Sequence, residues 1–376
     1  MEDEFDIIVL GGGMAGCGLA SFLAGRARVL LLEKERHAGM HATGRSAALF
    51  SETYGDAPIR ALSRASKPFL ANPPPEFDLA SPLKPRGCLY IATAEQQDRL
   101  LTSAEGPLMR GASRVIPAKE ARGYCPILRG DYVALALWEE AAQDLDVDAL
   151  LQAFQRRFRN LGGTFLVDRE VRAIGRDQGR WRVATDTHEF KAGVVVNAAG
   201  AWADQVATLA GVKPLGIRPL RRTALLVDPP TGAEISAWPC VIDIDEEFYF
   251  KPDSGQLLLS PADESPVAPC DAQPEELDIA IAVDRVERAT TLEVTRVRHK
   301  WAGLRSFAPD RCPVVGYDPR AEGFFWLAGQ GGYGIQTAPA LSEAAAALVL
   351  RETVPTLLSD QGVDMALLSP NRLALV

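Results

Sequence analysis

The N-terminal part of the chain carries glycines and an acid at a spacing that suits a dinucleotide. Gly11, Gly13 and Gly16 form a GxGxxG motif directly after the apolar run of residues 5–10. Glu33 ends a second apolar run, 22 residues after Gly11. Glycine permits a tight turn, a close approach of pyrophosphate and close helix packing, and a helix N-terminus offers N–H groups to phosphate. The carboxylate can accept hydrogen bonds from ribose hydroxyls. We therefore predict a dinucleotide site rather than a structural turn.

The segment after Glu33 favours FAD over NAD as the bound dinucleotide. Residues 34–48 include small and hydroxyl side chains, where a plain NAD-binding domain usually enters another helix. Such residues let backbone groups run beside a long diphosphate toward a flavin ring, and an ordinary solvent loop is the alternative. The predicted contacts of a non-covalently bound FAD in this part of the chain are Gly11, Gly13, Met14, Ala15, Gly16, Glu33, Lys34, Ala42, Thr43, Gly44, Arg45, Ser46, Ala47 and Ala48.

A second glycine-rich loop near the C-terminus predicts another part of the cofactor site. The apolar strand 324–328 leads into the loop 329–334 and then into an alanine-rich helix predicted over 335–351. A loop that feeds a helix N-terminus can present N–H groups to an anion, here the N1/C2=O side of a reduced flavin. A packing turn is the alternative. The buried strand 194–197 similarly ends in small residues, which lets backbone lie close to a cofactor.

Composition and charge limit the class of protein. The chain has 376 residues, 47% hydrophobic and 24% charged, with a formal net charge of −9. Nucleic-acid binding needs surplus Lys and Arg, so this balance argues against a nucleic-acid partner and against an electrostatic grip on anionic lipid. The six cysteines form no CxxC pair and the four histidines have no HxxxH spacing. We therefore expect reduced thiols and no metal site.

The uncharged stretch 7–25 has about the length of a bilayer span, but we do not expect it to cross a membrane. Acidic residues precede it, where a signal peptide would be positively charged. Its run of three glycines would also break a spanning helix. The sequence therefore predicts no transmembrane segment and a cytoplasmic location, with peripheral attachment to the inner membrane left open.

Other parts of the chain predict antiparallel sheet. Between residues 217 and 300, turns rich in proline and glycine separate the strands 223–227, 248–251 and 256–260. An earlier stretch contains a similar strand at 87–92. Neither stretch has the pattern of a second nucleotide-binding unit.

These features together resemble the D-amino acid oxidase superfamily of FAD-dependent amine oxidoreductases. The matching blocks are the N-terminal motif with residues 42–48, the strand 194–200, residues 301–307 and residues 330–337. The similarity spans essentially the whole chain and is greatest to bacterial FAD-dependent D-arginine dehydrogenases. It extends the expected cofactor contacts to Val171, Ala199, Gly200, Trp202, Gly303, Gly331, Gly332, Tyr333, Gly334, Ile335 and Gln336.

The resemblance implies an α/β fold with a Rossmann-like FAD-binding domain and a mixed-sheet substrate domain, of the D-amino acid oxidase/glutathione reductase type. The FAD-binding domain is expected to be discontinuous in sequence. Its segments would be residues 1–78, 145–216 and 300–376, and the substrate domain would comprise residues 79–144 and 217–299.

The resemblance also implies a clamp for a substrate carboxylate. Arg305 and Arg222 would supply guanidinium groups, which bind carboxylates in bidentate fashion, and Tyr54 and Tyr249 would supply uncharged donors. The carbonyl of Gly332 would hold the substrate amine. Simpler roles remain open for these residue types, namely an interdomain salt bridge for Arg305, a surface charge for Arg222 and core packing for the tyrosines.

The expected substrate pocket departs from the D-arginine dehydrogenases at two positions. Leu49 stands where they have a histidine, and Cys88 stands where they have a glutamate that pairs with the substrate guanidinium. A neutral thiol cannot form that ion pair, so we expect neutral or apolar side chains to be preferred over D-arginine. The pocket residues implied by the resemblance are Leu49, Ser51, Cys88, Cys240, Ile242 and Tyr333.

The activity implied by the resemblance is oxidative deamination of D-amino acids to 2-oxo acids and ammonia, with hydride transfer from Cα to flavin N5. An oxidase or dehydrogenase of N-methylated or cyclic amino acids, such as sarcosine, glycine or proline, is the alternative. The partner is then a small amino acid. The electron acceptor is left open among a quinone, another carrier and O₂, and the chain is expected to be a monomer or homodimer.

Overall fold

The N-terminal glycine motif lies at the edge of a mostly parallel sheet. A computed structural model describes residues 3–106 and 109–373 of the chain. In this part the helices are α1 (Met14–Leu23), α2 (Ala57–Ala71), α3 (Gln97–Glu105), α4 (Ala118–Tyr124), α5 (Val147–Asn160), α6 (Ala203–Leu209), α7 (Glu276–Ala289), α8 (Ala338–Val349) and α9 (Thr356–Asp360). The strands are β1 (Glu4–Leu10), β2 (Val29–Leu32), β3 (Leu49–Phe50), β4 (Leu83–Pro85), β5 (Cys88–Ala92), β6 (Arg114–Pro117), β7 (Leu135–Glu139), β8 (Gln143–Leu145), β9 (Thr164–Leu166), β10 (Val171–Asp177), β11 (Arg180–Thr185), β12 (Glu189–Asn197), β13 (Arg218–Val227), β14 (Cys240–Asp243), β15 (Tyr249–Asp253), β16 (Gln256–Ser260), β17 (Ser265–Pro266), β18 (Val297–Phe307), β19 (Val314–Tyr317), β20 (Phe324–Ala328) and β21 (Gln330–Gly331).

The first sheet has a parallel core in the order β9-β2-β1-β12-β20. The antiparallel pair β10-β11 joins the first half of β12, and β19 runs antiparallel to β20. Leu10 is level with both Leu32 and Asn197, so the carboxyl ends of three neighbouring strands meet at one edge. Ligands of open parallel sheets bind outside that edge, which is where the glycine motif begins.

Helices α1, α5 and α8 cover one face of this sheet and bury a continuous apolar core. Small residues let these helices approach closely: a side chain at Gly18 of α1 would collide with Ser342 of α8. A Cβ at Gly16 would likewise overlap the carbonyl oxygen of Gly11. Gly16 therefore serves helix packing.

The second sheet has ten strands and supplies the wall that faces the cofactor edge of the first sheet. Its main order is β21-β18-β13-β16-β15-β14-β5-β7-β6, and β17 pairs with β13. Only the β5–β14 pairing is parallel among the described ladders of this sheet, so the sheet is mixed. The long antiparallel pair β13–β18 sets Arg222 opposite Gly303 and Leu220 opposite Arg305. A third sheet, β3-β8-β4, is small and carries Leu49.

The expected α/β fold class is confirmed, with a parallel nucleotide-type sheet and a separate mixed sheet. The antiparallel strands predicted near 248–251 and 256–260 pair directly as β15 and β16. The start of the last long helix differs from expectation. Helix α8 begins at Ala338, because residues 335–337 form a turn before Pro339 can enter the first helical turn. Strand β18 runs through residue 300, the predicted domain boundary, since it pairs with β13 along its length; the domain limits themselves stay a prediction.

Helices that are both long and apolar enough for a membrane span are missing from residues 3–106 and 109–373.

Candidate active site

A cavity of about 360 Å³ lies between the edge of the parallel sheet and the face of the ten-stranded sheet. Most of the predicted site residues line it, and they come from both sheets and from the loop after β2. Four predicted site residues do not line it: Gly16, Gly44, Cys88 and Tyr333. The cavity therefore joins the predicted nucleotide contacts and the predicted carboxylate clamp in one space.

Backbone forms the end of the cavity at β1 and α1. Gly11 has φ +109°, and a Cβ there would lie 2.5 Å from the carbonyl oxygen of Ala198. Only glycine fits this left-handed and crowded position. Helix α1 begins after Gly13 without a side-chain cap, while Thr43 Oγ1 accepts a hydrogen bond from Met14 N at 3.0 Å. The first turn of α1 thus leaves N–H groups beside the cavity, as an anion site requires.

Glu33 lies at the end of β2, and its carboxylate is already held by backbone. It accepts hydrogen bonds from Gly12 N at 2.6 Å and from Glu35 N at 2.8 Å. The side chain lines the cavity and is largely buried. Its orientation is therefore fixed, and its remaining lone pairs can accept from the hydroxyls of a ribose.

A cluster of one tryptophan and two basic side chains lines the cavity and includes Lys34, the residue after Glu33. Lys34 Nζ is 3.5 Å from the ring centroid of Trp202, and the His41 ring centroid is 4.6 Å from that of Trp202. His41 also contacts Glu35 at 2.7 Å through Nε2. Sequence analysis included Lys34 and Trp202 but missed His41, because nothing local ties a histidine in a loop to a tryptophan far along the chain.

The loop between β2 and β3 is held against the second sheet by Arg45. Its guanidinium donates to the carbonyl oxygens of Ala272 at 2.9 Å and Ala302 at 2.8 Å and pairs with Asp271. Gly44 allows the tight turn that precedes it, since a Cβ there would lie 2.6 Å from the carbonyl oxygen of Gly39. Gly44 therefore shapes this loop from behind the cavity lining.

The four residues predicted to bind a carboxylate all line the other end of the cavity: Tyr54, Arg222, Tyr249 and Arg305. Arg305 Nη1 donates to the Tyr54 hydroxyl at 3.3 Å. A Cβ at position 332 would lie 2.8 Å from Arg305 Nη1, so the glycine at that position makes room for the guanidinium. The last glycine loop and the arginine thus fit each other.

The arginines of this region differ in their partners. Arg221 is buried and pairs with Asp263, Glu275 and Asp278. Arg222 pairs with Glu264 at 3.2 Å and donates to the carbonyl oxygen of Asp263. For Arg305, residues 3–106 and 109–373 provide no carboxylate within 4.0 Å. A largely desolvated cation without a counter-anion is a site for an anion from solution.

Tyr54 stacks near Tyr333, with ring centroids 4.9 Å apart. Burial raises the pKa of Tyr333 above its ordinary value, so its hydroxyl stays protonated and uncharged. Tyr333 also packs edge-on toward Phe307, at 6.5 Å between centroids. It does not line the cavity itself but contacts Tyr54, which does.

The predicted side-chain pocket is formed by Leu49, Ser51, Cys240 and Ile242, all of which line the cavity. Cys88 does not line the cavity: it is fully buried and lies opposite Cys240 in the parallel β5–β14 ladder. Burial raises the pKa of the Cys88 thiol well above its ordinary value. It therefore stays a neutral thiol.

Tyr90, Glu246 and Lys251 also line the cavity, and sequence analysis did not assign them to the site. Lys251 Nζ donates to Asp144 Oδ1 at 2.8 Å and to the carbonyl oxygen of Ala48 at 3.3 Å. Lys251 follows Tyr249 by two positions on β15, so the two side chains face the same side of the sheet. That alternation was the available signal for Lys251.

The residues of this cavity fit FAD. Gly11, Gly13 and Gly303 line the cavity with backbone alone, which lets a diphosphate or a flat ring approach closely. The amide nitrogen of Gln330, beside the last glycine loop, is buried and has no hydrogen-bond partner in the described residues. Such an orphaned donor suits a carbonyl of a bound ring. No group of three or more potential metal ligands occurs within the part of the chain that the structure describes.

The chain is similar to known oxidoreductases in sequence and in fold. Residues 6–348 match the family described as FAD dependent oxidoreductase. FAD-dependent oxidoreductase domain-containing protein 1 of Bos taurus is 26% identical over 402 residues, covering 93% of this chain and 82% of that protein. Glycine oxidase of Geobacillus kaustophilus is 26% identical over 373 residues and 94% of each chain. Its crystal structure superposes with a TM-score of 0.83 at 24% identity, covering 99% of both chains. L-proline dehydrogenase from P. horikoshii gives 0.81 at 22% identity, with 100% of this chain and 99% of that one covered.

Proposed function

Because the chain belongs to the family of FAD dependent oxidoreductases, we propose that it oxidises the Cα–N bond of an amino acid. The proposed reaction is oxidative deamination of a D-amino acid to a 2-oxo acid and ammonia. The preferred side chains are neutral or apolar. The resemblance of the sequence to D-arginine dehydrogenases suggests the D configuration, and that closeness stays a prediction.

One observation carries the proposal. Arg305 lines the cavity next to the last glycine loop and has no carboxylate partner within the described residues. A guanidinium binds a carboxylate with two parallel hydrogen bonds, which also fixes its orientation. An amino acid supplies such a carboxylate one bond away from the carbon that is oxidised.

The neighbouring residues extend this binding site. Tyr54 already contacts Arg305 and offers an uncharged hydroxyl, while Tyr249 and Arg222 line the same end of the cavity. Arg222 contributes less net charge, because Glu264 partly neutralises it. Burial raises the pKa of Glu264, but Arg311 and Arg222 outweigh that effect and hold the pKa below its usual range.

FAD, when bound, supplies the acceptor for a hydride from the substrate Cα. The residues of the chain orient the reactants: Arg305 and its partners anchor the carboxylate, and the carbonyl of Gly332 accepts from the substrate amine. Fixing the amino acid at two points restricts Cα to one position, which lowers the entropic part of the barrier. Leu49 stands where the D-arginine dehydrogenases have a histidine, so no imidazolium charge competes next to the substrate amine.

The proposed side-chain preference rests on the pocket walls. Leu49, Cys240 and Ile242 line the cavity, and Cys88 behind them is a neutral thiol. A guanidinium side chain would lose its hydration here without gaining an ion pair from these residues. D-arginine is therefore expected to be a poorer substrate than D-amino acids with uncharged side chains.

Anaerobic bleaching of the flavin on addition of single amino acids tests the proposal directly. D-amino acids with neutral side chains should reduce the flavin, with D-arginine giving a lower kcat/KM. Reduction by no amino acid in the panel would refute the function. Reduction with D-arginine at the highest kcat/KM would refute the preference only. Dye reduction without O₂, and peroxide detection in aerated assays with the same amino acids, distinguish a quinone or other carrier from O₂ as acceptor.

A second candidate is an oxidase or dehydrogenase of N-methylated or cyclic amino acids. The relatives favour it, since two of the similar proteins are named glycine oxidase and L-proline dehydrogenase. The clamp at Arg305 suits these substrates equally, because they carry the same carboxylate. Sarcosine, glycine and both enantiomers of proline in the same anaerobic panel separate the candidates: reduction by these alone replaces the first proposal with the second.

A further inference from the structure

A buried acid lies directly behind the substrate end of the cavity and has no role so far. Glu139 is the last residue of β7 and is only 1% exposed. Its carboxyl group contacts Ser51 Oγ at 2.8 and 3.1 Å, Thr53 Oγ1 at 2.9 Å and, more distantly, the Tyr90 hydroxyl at 3.4 Å. Two of these three partners, Ser51 and Tyr90, line the cavity.

In the described residues, the hydrogen bonds to the Glu139 carboxyl all come from hydroxyl groups. In residues 3–106 and 109–373, no Lys, Arg or His nitrogen lies within 4.0 Å of the Glu139 carboxyl. Asp144 of the neighbouring strand β8, by contrast, pairs with both Lys251 and Arg86. Burying a carboxyl group without a cation lowers the stability of the folded protein, and such groups are concentrated at functional sites. Burial raises the pKa of Glu139, whereas the hydroxyls of Ser51 and Thr53 act in the opposite direction.

The hydrogen bonds to Glu139 determine what the cavity wall can offer a ligand. A serine or tyrosine hydroxyl has one hydrogen to donate. The 2.8 Å contact to the carboxyl commits the hydrogen of Ser51, and the longer contact of 3.4 Å directs that of Tyr90 the same way. Ser51 Oγ accepts from Thr53 N at 3.2 Å and lies 2.9 Å from Thr53 Oγ1. Because Thr53 Oγ1 donates its own hydrogen to Glu139, Ser51 keeps one acceptor lone pair. The wall formed by Ser51 and Tyr90 therefore offers acceptors rather than donors.

We propose that Glu139 is a positioning residue that turns this wall into an acceptor surface and so selects amino acids whose neutral side chains carry an N–H or O–H donor. This inference rests on the proposed function and narrows its substrate class. Amide and hydroxyl side chains are preferred over hydrocarbon side chains of the same shape. An acidic side chain is disfavoured because its carboxylate has no hydrogen to donate to these acceptors. A basic side chain is disfavoured because neutral acceptors do not replace the hydration that its charge loses.

Pairs of isosteric amino acids test the proposal. The D-enantiomers of asparagine and leucine, and likewise those of threonine and valine, differ in donor capacity but little in shape. The ratio of their kcat/KM values therefore reports the contribution of the cavity wall. In the wild-type enzyme we expect asparagine to exceed leucine by about 10-fold or more, because a buried acceptor left unpaired is penalised. The ratio is measured within one enzyme sample and is independent of the fraction that is folded.

Two variants test whether Glu139 causes the preference. Glu139→Gln keeps the shape, but its amide donates to one hydroxyl and frees that hydrogen toward the cavity, so the asparagine-to-leucine ratio should fall about 10-fold. Ser51→Ala removes the acceptor itself and should abolish the preference. Asp318→Asn, which changes a buried carboxyl of the parallel-sheet region that does not line the cavity, is the matched control and should keep the wild-type ratio.

The outcomes are distinguishable. Leucine equal to or better than asparagine in the wild-type enzyme overturns this inference while flavin reduction by both upholds the proposed function. A preference that survives both Glu139→Gln and Ser51→Ala also overturns it. A flavin that no amino acid reduces overturns the proposed function and this inference together.

Discussion

The two ends of the cavity are built in different ways. The end at β1 and α1 is made of backbone: glycines, the first turn of a helix and one acid held by two N–H groups. The end at β13 and β18 is made of charged and hydroxyl side chains from separate strands, with Arg305 at its centre. Backbone recognises the part of a ligand that every member of a family shares, whereas side chains can change with the substrate.

The largest effect is expected at the side-chain end. Arg305→Met keeps the approximate length of the side chain and removes its charge, so kcat/KM for any amino acid should fall about 100-fold or more. The FAD content of the purified protein should stay unchanged, since the backbone end is untouched. Steady-state kinetics and the flavin absorbance of the same sample provide both values. Arg221→Met is the comparison, because Arg221 has three carboxylate partners and lies outside the cavity lining. It should lower stability rather than kcat/KM.

At the backbone end of the cavity, a substitution should weaken FAD binding. Gly11→Ala places a Cβ at φ +109° and 2.5 Å from the carbonyl oxygen of Ala198. Strain at positive φ, together with this overlap, should weaken FAD binding by about 30-fold, as measured by equilibrium titration of the apoprotein. Gly211→Ala is the matched control, because it has φ +67° with no atom within 4 Å of the added Cβ. Equal losses of FAD affinity in both variants would refute a specific role for Gly11.

A smaller effect is expected at the second arginine. Arg222 is partly neutralised by Glu264, so Arg222→Met should lower kcat/KM by about 10-fold, through a higher KM. An effect as large as that of Arg305→Met would mean that the free cation is not the main carboxylate anchor. Initial-rate measurements on the same amino acid compare the two variants directly.

The smallest expected effect is a pH-dependent change in stability at Glu139. Burial raises its folded pKa above the ordinary value of 4.5, and Glu52, Cys88 and Tyr90 surround it. A raised carboxyl pKa contributes stability that is present below pH 4.5 and lost as the pH rises through the folded pKa. The unfolding free energy of Glu139→Gln minus that of the wild type should therefore increase as the pH rises through that window. Denaturant titrations at several pH values measure it, and a difference constant with pH would contradict it.

The difference between the two ends of the cavity also explains which site residues could be predicted from the sequence. Gly11, Gly13 and Glu33 lie in one short segment, and each has a local reason for its residue type, so the nucleotide end could be predicted by spacing alone. Strands β15 and β16 were likewise predicted from turn residues and apolar runs. The assignment of Arg305, Arg222, Tyr54 and Tyr249 needed the family resemblance, because their proximity depends on how β13 pairs with β18.

Other parts of the site could not be predicted from local patterns. Glu139, Ser51 and Tyr90 meet through the pairing of β5 with β7 and the position of the segment after β3, which a single sequence does not specify. Cys88 was expected in the pocket, but it is fully buried beside Cys240 in the β5–β14 ladder and does not line the cavity. His41 joined the group at Trp202 through the same kind of long-range contact.

The proposed function requires that Arg305 binds the carboxylate of an amino acid that is oxidised in this cavity. D-alanine and D-alaninamide, compared in wild-type and Arg305→Met enzyme by anaerobic flavin reduction, test it most directly. The wild-type enzyme should prefer the acid by about 100-fold or more, and the variant should reduce that preference to nearly equal rates, because the amide has no charge to lose. A preference for the acid that is the same in both enzymes would mean that Arg305 does not bind the substrate carboxylate.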